Sequence, residues 1–157
     1  MEEKSTSSLM SELMRSESFD GYLKANNELL KTKSVSDHIE QMIAYKGLTR
    51  ADVAKASGLN VIYAYQVMAG SRKPTRDKLL CLCKAMSLTV DEVQGLLKYC
   101  GYAQLYPRRK RDAVILFARE KCSGTLGINE ALFQNGEKTL CWLNLFAETL
   151  MDCQNSA

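Results

Sequence analysis

Six cysteines and a single histidine are the residues in this sequence whose types could supply a nucleophile, a base or metal ligands. His38 lies beside Ile39 in a stretch of helical period, with no Cys, Ser or second His motif nearby, so a half-buried or surface imidazole is expected rather than a general base. The cysteines stand at 81, 83, 100, 122, 141 and 153. Zinc sites pair their ligands as C-x2-C or H-x3-H, whereas Cys81 and Cys83 are two apart on an expected helix and point to different faces. A disulfide framework belongs to small exported domains, and the opening MEEKSTSSLM is acidic and polar where an export signal needs a basic start and an apolar run. The thiols are therefore expected to be reduced, buried as small apolar groups, and without a metal. Gly124 and Gly127, in SGTLG, lack both the Lys-Ser/Thr of a phosphate loop and the third glycine of a dinucleotide fold. Neither a catalytic site nor a cofactor is expected.

The remaining chemistry is electrostatic. The net charge is only +3, but residues 71–111 carry ten basic and three acidic side chains, while residues 1–48 carry six and eight and residues 112–157 three and six. A concentrated basic block inside a nearly neutral chain is the footprint of a polyanion partner, and a solvated charged face is the alternative.

The elements that must position this block read as helices. With 46% apolar residues and two prolines, the chain can bury a core, and its apolar residues recur with a helical rather than an alternating period. Phe19, Tyr22, Leu23 and Leu30 share a face of an expected helix at 18–31, as do Ile39, Met42 and Ile43 at 35–45, which Gly47 ends. Thr49 caps a short helix to Ser57, with Asp52 in the capping-box position, and Gly58 closes it. A further helix runs from Asn60 to Gly70, Pro74 opens the next, and Thr89 with Glu92 begins a fifth. Beyond residue 100, helices are expected over 111–121, over 128–134 after a Gly124/Gly127 loop, and over 138–151. No stretch has the roughly 18 apolar residues of a membrane span, so the expected setting is cytoplasmic, with no membrane partner.

The stretch LTRADVAKASGLNVIYAYQVMAGSRKPTRDKLLCLCKAMSLTVDEV carries a positional pattern. Counted from Arg50, a small residue stands fifth (Ala54), glycine ninth (Gly58), and apolar residues fifteenth and eighteenth (Ala64, Val67). Ala54 lets two helices approach, Gly58 supplies the positive φ of a sharp turn, and Ala64 and Val67 dock the second helix on the first. Gly70, Arg72 and Pro74 follow, then Leu79, Lys84, Ala85 and Asp91-Glu92. With these residues, roughly 60 of the 157 resemble the Cro and lambda-repressor (XRE-like) helix-turn-helix family.

That resemblance implies an all-α fold with a five-helix DNA-binding domain at 35–100, preceded by a helical segment at 1–34 and followed by a basic connector at 101–111 and a helical extension at 112–157. It implies that the helix at 60–69 enters the major groove of double-stranded DNA, with Val61, Ile62, Tyr65 and Gln66 facing the bases. Only Gln66 of these has an amide suited to adenine; Val61 and Ile62 suit thymine methyls. Arg50, Tyr63, Arg72, Lys73 and Arg76 fall where the family meets the phosphate backbone, and Arg108, Arg109, Lys110 and Arg111 form an auxiliary cluster able to hold a phosphate or enter the minor groove. The same apolar helix face could instead meet a protein. Leu140, Trp142, Leu143, Leu145, Phe146, Leu150 and Met151 cover more than one stripe of the expected last helix, whose partner is either the core or a second subunit, so a homodimer or a protein partner is expected there.

Overall fold

The computed structural model describes residues 4–30, 34–121 and 124–141, and all regular structure among them is α-helical. In order these are α1 (Thr6–Arg15), α2 (Phe19–Leu30), α3 (Val35–Tyr45), α4 (Arg50–Ala56), α5 (Val61–Met68), α6 (Arg76–Ala85), α7 (Val90–Tyr99), α8 (Lys110–Lys121) and α9 (Gly124–Gln134). None is long and apolar enough to cross a membrane. The chain divides into two compact units at Ser34.

The first unit holds α1 and α2. Ser5 caps α1, its hydroxyl accepting from Ser8 N. Of the apolar face expected on α2 only Tyr22 is buried, while Phe19 stays 64% exposed. The helix kinks at Asn26, whose amide donates to the Tyr22 carbonyl and to Glu12 Oε1, 3.1 Å each, while its carbonyl oxygen accepts from Lys4.

The second unit gathers α3 to α9 around one core. Ile39, Val53, Leu79, Leu80, Leu82, Met86, Leu96 and Leu97 are fully buried, and Ile115, Ile128 and Leu132 from α8 and α9 belong to the same cluster. Each such side chain adds about 1.5–3 kcal/mol on leaving water, so the helices beyond residue 110 are part of this core and not an appendage to it. Two details differ from what the sequence pattern predicts. Helix α9 starts at Gly124 with Gly127 inside it, because Thr125, Ile128, Asn129 and Leu132 form one buried stripe that outweighs glycine's poor helix propensity. Residues 138–141, expected to open a helix, are irregular. Buried Asn129 holds them instead: its Oδ1 accepts from Leu140 N at 2.8 Å and its Nδ2 donates to the Cys141 carbonyl at 3.2 Å. Residues 142–151, with Trp142 and Phe146, lie outside the described residues.

Candidate nucleic-acid interface

Helix α4 begins at a complete capping box: the Thr49 hydroxyl accepts from Asp52 N, and the Asp52 carboxylate accepts from Thr49 N and Oγ1. The Thr49 hydroxyl and then its backbone N–H hold the Asp52 carboxyl below the usual range. At the other end Ser57 Oγ donates to Ala54 O and accepts from Leu59 N, and Gly58 sits at φ +69°, which reverses the chain within three residues. Asn60 Oδ1 then caps α5 by accepting from Tyr63 N. Val53 and Ala54 on α4 meet Ala64, Val67 and Met68 on α5 in the core, so one side of α5 is fixed.

The other side of α5 is open. Val61 is 49%, Ile62 69% and Tyr65 38% exposed, and Gln66 is half-buried beside them. The four base-facing candidates therefore share one helix surface, spaced i, i+1, i+4 and i+5. The carbonyl of Gln66 anchors the next turn, accepting from Ser71 N, Ser71 Oγ and Arg72 N. Gly70, at φ +80°, admits no side chain in that turn, since a Cβ would lie 2.7 Å from Ser36 Oγ.

Cations collect around Tyr63. Its half-buried ring has the Arg72 guanidinium 5.3 Å and the Lys78 ammonium 4.1 Å from its centre, and burial raises its hydroxyl's pKa. Lys73 stands 5.6 Å over Tyr102, whose hydroxyl donates to the Pro74 carbonyl. Tyr63 thus holds two cations, Arg72 and Lys78, against its ring, and Tyr102 holds Lys73. Lys78 is a residue that the sequence pattern did not single out. The signal was its place three residues after Thr75, the cap of α6, in the first turn of that helix. Arg50 is exposed at the start of α4 with its Nε 2.6 Å from Glu40 Oε1.

Two of the other basic candidates, Arg76 and Arg111, are held by carboxylates of the fold. Arg76 donates to both Asp112 oxygens at 3.0 and 3.1 Å and to the carbonyls of Ala103 and Gln104, which leaves its guanidinium turned into the protein. The run 108–111 splits at the start of α8: Arg108 and Arg109 are exposed, whereas Arg111 forks onto Asp77 and Lys110 reaches the Asn135 carbonyl. His38 is half-buried and stacks on Tyr99 at 4.7 Å. Cys81, Cys83, Cys100 and Cys141 are all buried, whereas Cys122 and Cys153 lie outside the described residues.

No protein-family model matches this chain, and neither the curated proteins nor the solved structures give a match. The functional reading therefore rests on the residues and their geometry.

Proposed function

We propose that residues 48–93 form a Cro/repressor-type helix-turn-helix and that the protein is a sequence-specific regulator of double-stranded DNA, with α5 lying in the major groove. The observation that carries this is the two-sidedness of α5. Ala64, Val67 and Met68 lock it to the core, while Val61, Ile62, Tyr65 and Gln66 face outward beside Arg72, Lys73 and Lys78. A rigid helix with an open face and cations at its end matches the way such helices enter a groove some 12 Å wide, with phosphates holding the register and a few side chains reading bases. Arg76 and Arg111 are left out of the proposed DNA-facing set, because Asp112 and Asp77 hold their guanidinium groups. The protein acts as a homodimer on two half-sites.

Selection of bound fragments from the host genome tests this. The expected outcome is a short inverted repeat with half-sites one helical turn apart, about 10 base pairs. Absence of any enriched motif, at low as well as physiological salt, overturns it. One observation favours a second reading: Ile62 and Val61 are the most exposed residues of the outward face and both are apolar, which suits a protein-binding adaptor. Under that reading the same selection yields no motif.

A further inference from the structure

A cleft of about 660 Å³ runs between α5 and the chain that follows α9. Its apolar lining comes from Ile62 and from the buried side chains of Leu59, Leu140 and Cys141. Both sides are fixed before any ligand arrives. Leu59 N donates to Ser57 Oγ at 3.2 Å beside the cap of α5; on the other side Leu140 N donates to Asn129 Oδ1 at 2.8 Å, and the Cys141 carbonyl accepts from Asn129 Nδ2. A preformed cleft of this volume, with apolar walls and a few polar groups, has the size and character of a small-molecule site.

The charged groups of the cleft leave it positive. Arg72, Lys78 and Lys138 line it, and among the described residues none of the three forms an ion pair. The Tyr63 ring lies 5.3 Å from Arg72 and 4.1 Å from Lys78, which orients these two cations without cancelling their charge. Asp77 also lines the cleft, but its two oxygens accept from Arg111 at 3.0 Å each, so its charge is already met. Helix α6 starts here as well, capped by Thr75 on the lining, and its N-terminal end adds to the positive potential. Positive potential against apolar walls suits an anion that has an apolar part, because charge attraction is stronger where walls exclude water and apolar contact adds to it. We propose that this cleft binds a small organic anion, a carboxylate or phosphate on an alkyl or aryl body, with the three cations meeting the charged group and Leu59, Leu140 and Cys141 the body. A DNA backbone requires cations but no apolar recess behind them, so this ligand goes beyond the DNA contacts proposed above.

The full-length protein is titrated by calorimetry with octanoate and with octyl phosphate, and separately with octan-1-ol and with inorganic phosphate, which supply the apolar and the anionic half alone. One site is expected for at least one of the two amphiphilic anions, with a dissociation constant about tenfold or more below that of either half. On binding, the amide resonances of Leu59, Ile62 and Thr139 on the lining should move, and those of Val93 and Leu96 on α7 should stay. Changing Lys78 and Lys138 together to Gln should weaken the anion about tenfold and leave octan-1-ol unaffected. The wild-type titration and its resonance shifts need no variant to fold. Three results overturn the proposal: both anions bind no tighter than inorganic phosphate, which leaves a charged surface only; the shifts lie away from the cleft; or the Gln variant binds the anions as tightly as the wild type. No DNA is present, so a failure here is read separately from a failure of the function proposed above.

Discussion

Gln66 has its main chain and its side chain assigned to different tasks. The main-chain carbonyl accepts three hydrogen bonds from Ser71 and Arg72, so the backbone at this point is fixed before any ligand arrives. The side-chain amide is the one group on the Val61, Ile62, Tyr65 and Gln66 surface that can donate to and accept from a base edge at once, as a bidentate pair. Gln66→Ala should therefore cost about 1–3 kcal/mol on the preferred site and leave random-sequence affinity nearly unchanged. A competition assay at one salt concentration, using single-base variants of the site, reads this directly; full discrimination retained by the variant at every base pair means that Gln66 does not read sequence. The cations near Tyr63 predict the reverse pattern. Changing Arg72, Lys73 and Lys78 together to Ala should weaken binding to all sequences alike and reduce the log-log salt slope by about one unit for each phosphate no longer neutralised. A slope unchanged on specific and random DNA would make these residues surface charge only.

At the level of the helices, what could be read in the sequence was what is encoded locally. Of the five helices between 35 and 100, three begin at the starts that the sequence pattern names, Thr49, Asn60 and Thr89, while α3 is capped by Ser34 and α6 by Thr75 rather than opened at Pro74. The full length of α9 and the irregular path of 138–141 depend on Asn129 and a buried stripe formed across the chain, for which no neighbouring residue gives notice. The candidate surface was legible in the same measure: the family resemblance pointed to Val61, Ile62, Tyr65 and Gln66, which do share an open face of α5, but the diversion of Arg76 to Asp112 joins residues 36 apart. Two consequences can be measured. Asp52 and Glu92 are both held below their usual range, Asp52 by Thr49 and Glu92 by the Thr89 N–H and then Lys46. A lowered folded value gives stability that is complete above the unfolded value near 4 and is lost as pH falls through the folded one. Acid unfolding monitored by circular dichroism should thus be shallower below about pH 4 in Asp52→Asn than in the wild type, and identical curves would remove the capping box from the pH dependence. The end of α6 offers the other. Ser87 sits at φ +53°, a left-handed position that costs a side chain about 1 kcal/mol, so Ser87→Gly should stabilise the fold by about 0.5–1 kcal/mol in urea unfolding; a loss of stability there would show that Ser87 is not strained.

Across the whole second unit, two ion pairs join the first turn of α6 to the first turn of α8 in crossed order. Arg76 forks onto Asp112 at 3.0 and 3.1 Å, Arg111 forks onto Asp77 at 3.0 Å twice, and Asp112 also accepts from Tyr106 N. Deeper in, Lys84 donates to the Arg119 carbonyl and Arg119 to the Leu88 carbonyl, tying the far ends of the same helices. Asp112 is 3% exposed, so its charge is tolerable only because the guanidinium is there. Removing one member of such a pair leaves the other buried without compensation, which costs about 3–5 kcal/mol, whereas the more exposed Arg111–Asp77 pair should be worth far less, about 1 kcal/mol or below. Asp112→Ala is accordingly expected to lower the urea midpoint of residues 34–141 as one cooperative transition, with α5 losing its support together with α8. Tryptophan-independent probes, such as far-ultraviolet dichroism and hydrogen exchange at the amides of Val53, Val67 and Ile115, should move together. Should Val53 and Val67 keep their wild-type protection while Ile115 loses its own, the helices after residue 110 fold independently of α5, and the ion pairs are a surface tie rather than part of a common core.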